Sequence, residues 1–203
     1  MDISYNLHRE RGVCNGRAFD LSRRRVYIKF IMETHHARFV ALTTPESLAV
    51  VRDIAAVIWP ETFRAILPPE QIPYMMRMMY APEVMEKELA AGFRFDALYL
   101  DEVPAGYVSY SKYELPGVAK LHKVYLLSKF HGQGWGTLML KHACRRCREL
   151  GFDRVRLNVN KHNARAIAAY ERNGFSRVEA VKIDIGGGFF MDDFIMEKEL
   201  RRG

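Results

Sequence analysis

Glycine occupies three alternate positions, Gly132, Gly134 and Gly136, in the stretch "FHGQGWG" at 130–136. The preceding residues 121–127, "LHKVYLL", have the apolar pattern of a strand. Apolar residues at helical spacing follow the turn, namely Leu140, Ala143, Cys144 and Cys147. A glycine turn between a strand and a helix exposes the unpaired amides of the helix N-terminus, and these favour an anion. The pattern is therefore compatible with a phosphate site, or with a plain tight turn.

The two commonest nucleotide-binding loops do not fit this spacing. A nucleoside-triphosphate loop requires Gly-Lys-Ser/Thr, whereas Gly136 is followed directly by Thr137. A dinucleotide fingerprint requires G-x-G-x-x-G, and Thr137 stands where its third glycine would fall. If the turn binds a phosphate, the ligand belongs to another class.

A second patterned segment, "NVNKHNARAIAAYERNGF" at 158–175, follows the first predicted helix and a strand. Asn163 stands at the predicted start of a helix, and Tyr170 falls two turns later on nearly the same face. Gly174 and Phe175 mark the exit from this helix. The segment therefore adds a second strand–helix unit behind the glycine turn.

Together, the two segments resemble the signatures of the GCN5-related N-acetyltransferase (GNAT) superfamily. The first signature, Q/R-x-x-G-x-G/A, is filled by His131, Gly132, Gln133, Gly134, Trp135 and Gly136. The second signature is filled by Asn163, Ala166, Tyr170, Gly174 and Phe175. His131 departs from the family pattern, which has Gln or Arg at that position. The resemblance covers 120–175 by motif and 37–200 by the order of elements.

The resemblance implies an α/β protein with the GNAT (acyl-CoA N-acyltransferase) fold. Its mixed, mostly antiparallel sheet would have about six to seven strands and about four flanking helices, with a parallel pair splayed at the cofactor site. The residue pattern itself predicts a helix that begins at the N-cap Thr44 and ends at Pro60. It also predicts a helical region over 68–92, broken by Pro73 and Pro82.

The resemblance also implies acetyl-CoA as cosubstrate and no metal. The pyrophosphate would lie at the glycine turn, against His131, Gly132, Gln133, Gly134, Trp135, Gly136 and Thr137. Asn163 would contact the cosubstrate from the following helix. A main-chain amide at Leu126 or Leu127 would polarise the thioester carbonyl.

Two side chains are candidates for the proton transfers. Tyr170 matches the family's general acid, and a phenol with a pKa near 10 is protonated at neutral pH. His122 stands where relatives often carry Glu, so it is a candidate base that accepts a proton through water. The alternative for His122 is an ordinary exposed strand histidine. Weaker candidates for binding a cationic acceptor are Glu102, Asp184, Asp192 and Asp193.

We therefore predict an N-acetyltransferase that moves the acetyl group of acetyl-CoA to a primary amine by direct attack. The stretches "WPETF" at 59–63 and "PEQIPYMM" at 69–76 resemble the polyamine and small-amine branch, so the expected acceptor is a small amine or polyamine. Acetylation of a peptide or protein N-terminus remains an alternative, as does a CoA-binding regulator without catalysis. A homodimer is compatible with the family.

The composition argues against several other classes of protein for this chain. The 203 residues, 49% apolar and 27% charged, are typical of one globular domain. No stretch approaches the roughly 20 apolar residues of a membrane span, and no secretory signal is apparent. Cys144 and Cys147 fall on the apolar stripe of a predicted helix, so we expect buried thiols in a cytoplasmic protein and not half of a metal site.

The formal net charge of +7 raises the question of nucleic-acid binding. Residues 1–31 contain seven Arg or Lys against three Asp or Glu, a net of +4, and the remaining 172 residues carry only +3. Nucleic-acid binding would therefore depend on this short tail, and we do not expect it. We expect residues 1–31 to be a poorly ordered extension and 32–203 to form the acetyltransferase domain.

Overall fold

The computed structural model describes residues 35–200. The predicted extension, 1–31, lies outside the described residues, as do 32–34 and 201–203 at the ends of the predicted domain. The strands of the described chain are β1 Ala37–Leu42, β2 Arg94–Leu100, β3 Val103–Lys112, β4 Val118–Leu126, β5 Arg154–Asn160, β6 Ser176–Gly186 and β7 Phe189–Glu199. Its α-helices are α1 Ala49–Phe63, α2 Gln71–Tyr80, α3 Pro82–Ala90, α4 Trp135–Glu149 and α5 Ala164–Arg172.

All the strands belong to one sheet, in the order β1-β2-β3-β4-β5-β7-β6. Only β4 and β5 pair in parallel, and every other neighbouring pair is antiparallel. The predicted α/β GNAT fold is confirmed, with a mixed seven-stranded sheet. One more helix is found than the four expected, because Ala81 is extended (ψ 140°) and Pro82 begins a new helix after α2.

The predicted break at Pro82 is confirmed, but Pro60 and Pro73 do not interrupt a helix. α1 continues through Pro60 to Phe63, and the Ala56 carbonyl that Pro60 leaves without a donor lies on the exposed side of the helix. Pro73 is the third residue of α2, where an amide has no partner within the helix in any case. Oγ1 of Thr44 accepts from the Ser47 amide at 3.3 Å, but the residues that follow form a short 3-10 helix, Glu46–Leu48, and α1 itself begins at Ala49 with Leu48 as its N-cap.

The helices cover the two faces of the sheet with two apolar cores. One core lies under α4 and α5 and includes Trp135, Met139 and Leu157, and the other lies under α1–α3 and includes Trp59 and Phe95. Cys144 and Cys147 are buried as free thiols in the first core, as predicted. Burial raises the pKa of the Cys147 thiol to about 12, so it is unreactive at neutral pH.

A buried polar cluster fixes α4 against the sheet. Oδ2 of Asp96 on β2 accepts from the Tyr110 hydroxyl at 2.9 Å and lies 2.8 Å from Nε2 of His142 on α4. The ring of Phe39 stacks on His142 with centroids 3.7 Å apart. Because one carboxylate oxygen joins β2, β3 and α4 in an apolar setting, the cluster specifies one position for the helix that carries the glycine turn.

β4 parts from β5 after four residues. Their register runs only from Val118 opposite Arg154 to Leu121 opposite Leu157. On the other side of β4, Leu121 lies opposite Tyr110 but Lys123 lies opposite Ser109, so His122 is an extra residue. Such a bulge bends a strand and increases its twist, and here it coincides with the point where β4 leaves β5. A gap therefore opens between the two strands towards Leu126.

Gly106 allows β3 to follow β4 along the edge of this gap. A Cβ at this position would lie 2.5 Å from the Tyr125 carbonyl oxygen and 3.1 Å from the Leu126 Cα. Both contacts are with backbone, so no side-chain rotation can relieve them. Any larger residue at Gly106 would push the strand bearing Leu126 away from β3.

We predict that Gly106→Ala lowers the free energy of unfolding by about 1–3 kcal/mol, the usual cost of overpacking a close contact. Urea unfolding followed by circular dichroism measures the change. Ser109→Ala in the same strand is the control, because it removes a buried hydroxyl that has no hydrogen-bond partner within 35–200 and should cost little. Equal stability of Gly106→Ala and the wild type would contradict the close approach of the two strands.

Candidate active site

The glycine turn presents unpaired amides to open space. Gly132 and Gly134 have positive φ angles of 79° and 91°, which favour glycine. Gly134 is the N-cap of α4, with no side-chain cap and no acidic residue in the first turn. The amides of 134–137 therefore have no acceptor within the helix. A Cβ added at Gly132 or Gly136 would meet no atom within 4 Å, so the turn forms an open cradle that fits an anion.

Side chains within the turn hold its shape. The Trp135 indole nitrogen donates to Oε1 of Gln133 at 3.2 Å, and Nε2 of Gln133 donates to the Lys129 carbonyl at 3.0 Å. Trp135 is buried, so the turn is fixed to the core at its centre. At Gln133 and Trp135 the main-chain amides, and not these engaged side chains, are the groups available to a ligand.

The first turn of α4 lies near the C-terminal end of α5. Oγ1 of Thr137 accepts from Nδ2 of Asn173, which follows α5, at 3.4 Å. Asn163 caps α5, because its Oδ1 accepts from the Ala166 amide at 3.1 Å. This bond leaves Nδ2 of Asn163 as the donor that a ligand could use.

His131 ties the turn to the end of β4. Its Nε2 lies 2.7 Å from the Leu126 carbonyl, so Nε2 carries a proton and donates it. Its Nδ1 is buried without a partner among the described residues, and burial lowers the pKa of the ring. The neutral tautomer protonated at Nε2 therefore orients the Leu126 peptide, at the one position where the turn departs from the family signature.

Of the two predicted carbonyl-polarising amides, only one is free. The Leu127 amide donates to the Ala105 carbonyl at 2.9 Å and is therefore engaged. Hydrogen-bonded and non-bonded pairs alternate along an antiparallel ladder, so the next pair, Gly106 and Leu126, is non-bonded. The Leu126 amide accordingly points away from β3, into the gap beside β5.

Tyr170 reaches the same region from α5. It is partly buried, packs edge-on against Phe175 with centroids 5.8 Å apart, and its hydroxyl makes no hydrogen bond with the described residues. Burial raises the pKa of Tyr170 to about 12, so the phenol is a hydrogen-bond donor at neutral pH. The pKa of Tyr125 on β4 is raised well above its usual value by burial, and Tyr80, Tyr170 and Asp193 contribute. Tyr125 therefore lies within electrostatic range of Tyr170.

His122 is neither exposed nor placed as a strong base. Its ring stacks on Phe93 with centroids 4.4 Å apart, and its Nε2 lies 2.8 Å from Oγ of Ser111. Burial first, then the charges of Lys123 and Lys120, lower the pKa of His122 to about 3. The imidazole is neutral at physiological pH and has little affinity for a proton.

A buried lysine on β4 was not singled out from the sequence. Lys123 is 2% exposed, and its Nζ donates to both carboxylate oxygens of Glu88 on α3 at 2.7 and 2.9 Å. Beside it, the Tyr80 hydroxyl accepts from Nε1 of Trp59 at 3.0 Å and from the Tyr107 hydroxyl at 2.8 Å. A lysine inside an apolar strand pattern was the available signal, but its partner Glu88 lies 35 residues away.

The four acidic candidates have different surroundings. Glu102 pairs with Arg38, Asp192 pairs with Lys161, and Asp184 accepts from the Gly186 amide at 2.8 Å. Asp193 alone of the four is buried, and it forms no ion pair with the described residues.

Within 35–200, no three His, Cys, Asp or Glu side chains gather as a metal site. Over the same residues, none of the helices has the length and apolar character needed to cross a bilayer.

The low pKa of His122 predicts an acid-sensitive fold. Between pH 6.5 and about 3 the unfolded chain binds a proton at His122 that the folded chain does not, so stability is lost as the pH falls through this window. His122→Gln should lose less stability than the wild type between pH 7 and pH 4.5, measured by urea unfolding. The exposed His162, changed to Gln, is the control. Parallel pH profiles for wild type and His122→Gln would contradict the assignment.

Comparisons with known proteins agree with this geometry. A family model described as the acetyltransferase (GNAT) family matches residues 53–175, more than half of the chain. An uncharacterised N-acetyltransferase of Methanocaldococcus jannaschii is 33% identical over 95 residues, a segment that is 43% of this chain and 42% of that protein. The chain thus covers less than half the length of this curated relative.

Solved structures share the fold. PaiA N-acetyltransferase from Thermoplasma acidophilum, in complex with coenzyme A, aligns with a TM-score of 0.65 and 23% identity over 80% of this chain and 99% of that one. The ribosomal-protein-S18-alanine N-acetyltransferase from Escherichia coli aligns with a TM-score of 0.62 and 17% identity, over 83% and 96%. Since the family model spans both the parting of β4 from β5 and the glycine turn, the chain belongs to the acetyltransferase (GNAT) family.

Proposed function

We propose that the protein transfers the acetyl group of acetyl-CoA to a primary amine by direct attack. The observation that carries this proposal is the adjacency of three features: the open cradle of amides at 134–137, the inward-facing Leu126 amide, and the unpaired Tyr170 hydroxyl. A similar fold in the Thermoplasma acidophilum protein was solved with coenzyme A, which supports a coenzyme A thioester as the ligand.

The glycine turn would hold the pyrophosphate of the cosubstrate. The amides of Gly132, Gln133, Gly134, Trp135, Gly136 and Thr137 are the proposed donors, with Nδ2 of Asn163 on the other side. Each charge-assisted hydrogen bond contributes about 1.5–3 kcal/mol before the entropic cost of binding. In this proposal His131 acts through the Leu126 carbonyl and not on the phosphate itself.

Two groups would act on the reacting thioester. The Leu126 amide would donate to the carbonyl oxygen as negative charge develops there, an effect worth about 2.7–4 kcal/mol for a well-placed donor. Tyr170 would donate a hydrogen bond to the departing sulfur. With the pKa of Tyr170 near 12 and that of a thiol near 8.5, full proton transfer is uphill, so the hydrogen bond is its main contribution.

His122 has a restricted part in this proposal. Its ring is neutral and can accept a hydrogen bond from water, but a pKa of about 3 makes it a weak base for an ammonium group. Its clearer role is geometric, because it is the bulged residue at the point where β4 leaves β5.

The surroundings favour a small acceptor over a peptide. Nε2 of Gln71 on α2 donates to the Phe190 carbonyl at 2.9 Å, and the Tyr74 hydroxyl donates to the Ile185 carbonyl at 2.5 Å. These bonds join α2 to the β6–β7 hairpin and narrow one side of the face that an acceptor would use. A peptide N-terminus would need an open groove there, so we propose a small amine or polyamine as the acceptor.

An acetyl-transfer assay tests the proposal directly. Acetyl-CoA and a panel of small alkylamines and polyamines should give free thiol above the amine-free background. Tyr170→Phe should lower kcat by about 10- to 100-fold, because a hydrogen bond to a charged group is worth about 1.5–3 kcal/mol, and should leave the KM for acetyl-CoA nearly unchanged. Tyr99→Phe, on β2, is the control.

Background release with every amine would rule out the enzymatic proposal for this class of acceptor. If Tyr170→Phe turned over at the wild-type rate, the phenol would have no part in the reaction. Tight binding of coenzyme A without any acetyl transfer would instead favour the alternative of a CoA-binding regulator without catalysis.

A graded series at Gly136 separates coenzyme binding from stability. Gly136→Ala should raise stability by about 0.5–1 kcal/mol and retain coenzyme A binding, because alanine is the better helix former and the family signature accepts it. Gly136→Leu should fold as well, yet bind coenzyme A at least tenfold more weakly, since its side chain would occupy the open cradle. Calorimetric titration with coenzyme A measures the affinity of both variants, and urea unfolding measures their stability. Wild-type affinity in Gly136→Leu would place the pyrophosphate elsewhere.

A further inference from the structure

Asp193 on β7 is a buried carboxylate with an unused oxygen. It is 6% exposed, and its Oδ2 accepts from Nδ2 of Asn158 at 3.3 Å. Oδ1 has no partner among the described residues, and it is not fully shielded from solvent. Burying a carboxylate without a cation costs free energy, so this side chain is suited to bind a positively charged ligand.

Other largely buried carboxylates of the described chain have their partners within the protein. Asp96 is held by Tyr110 and His142, and Glu88 by Lys123. Glu197 pairs with both Arg154 and Arg156. Asp193 is the exception, because no cation of residues 35–200 forms an ion pair with it.

The nearest lysines are engaged elsewhere. Nζ of Lys120 donates to Oδ1 of Asn158, which turns the Asn158 amide group towards Asp193. Lys161 pairs with the neighbouring Asp192. Burial raises the pKa of Asp193, while Asn158, Lys120 and Lys161 oppose that rise and Asp192 adds to it. The carboxylate is thus oriented by Asn158 and left without a counter-ion.

Asp193 lies on β7, one strand beyond the gap between β4 and β5. It is opposite Asn160, the last residue of β5. Val155, Leu157 and Val159 of β5 pack into the core under α4, so the alternate residue Asn158 projects from the other face of the sheet. Asp193 contacts Asn158 and therefore shares that face, together with Tyr125, whose ring lies 5.9 Å from that of Trp59 on α1.

We propose that Oδ1 of Asp193 binds the ammonium group of the acceptor, so that the protein selects alkylamines that are protonated at neutral pH over neutral amines. This inference rests on the proposed function, because it names the acceptor class of the same site. An ammonium ion supplies the hydrogen-bond donors and the positive charge that Asp193 lacks. It would lie on the face that Asp193 shares with Asn158 and Tyr125. After the ammonium gives one proton to water, its neutral nitrogen would attack the thioester carbonyl and the coenzyme A thiolate would leave.

Two acceptors of similar size test this selectivity. Ethylamine is an ammonium ion at neutral pH, and trifluoroethylamine is largely neutral. Asp193→Asn should raise the KM for ethylamine at least tenfold and leave the KM for trifluoroethylamine and the Kd for coenzyme A unchanged. The matched control is Asp192→Asn, an exposed neighbour that should behave as wild type. An unchanged KM for ethylamine in Asp193→Asn would overturn the inference.

A binding experiment keeps this inference separate from catalysis. Calorimetry with n-butylammonium chloride, in the presence of coenzyme A, should show binding to wild type and to Asp192→Asn, and loss of binding in Asp193→Asn. That result without amine acetylation would retain the ammonium site while the proposed function fails. Equal binding, or no binding to wild type, would overturn the site. Coenzyme A affinity equal to wild type verifies that Asp193→Asn is folded.

Discussion

The bulge at His122 is the constraint on which the site depends. β4 pairs with β3 along its length but with β5 only as far as Leu121, and the extra residue falls at the next position. Beyond it, a strand that would otherwise be hydrogen-bonded on both sides keeps one side free. The free Leu126 amide follows from this parting of two strands.

Polar groups retained in the cores have distinct structural effects. The cluster of Asp96, Tyr110 and His142 fixes α4, whose N-terminus carries the glycine turn. The pair of Lys123 and Glu88 neutralises a charge that would be costly to bury alone, and joins α3 to β4 just beyond the bulge. Asp193 differs from both, because its charge is oriented by one amide and not neutralised. The two paired clusters therefore stabilise the fold, whereas Asp193 is available to a ligand.

Local patterns predicted the parts of the site that depend on neighbouring residues. The glycine turn, the cap at Asn163 and the buried thiols of Cys144 and Cys147 follow from spacing within one helix or turn, and the described structure has each of them. The burial of His122, the engagement of the Leu127 amide and the isolation of Asp193 were not predicted. Each depends on contacts between segments distant in sequence, such as β3 with β4 or β5 with β7. The helix continued past Pro60 because Trp59 and Phe63 are buried in the core, a tertiary effect that outweighs the local preference.

The central claim is that the parting of β4 from β5 receives the acyl group, with the Leu126 amide directed at its carbonyl oxygen. A crystal structure with acetonyl-coenzyme A, a ketone analogue that cannot transfer its acyl group, tests this most directly. The account predicts the pyrophosphate against the amides at 132–137 and the ketone oxygen at hydrogen-bonding distance, about 2.7–3.1 Å, from the Leu126 nitrogen. A ketone lying outside the gap, or a pyrophosphate bound away from the glycine turn, would contradict it.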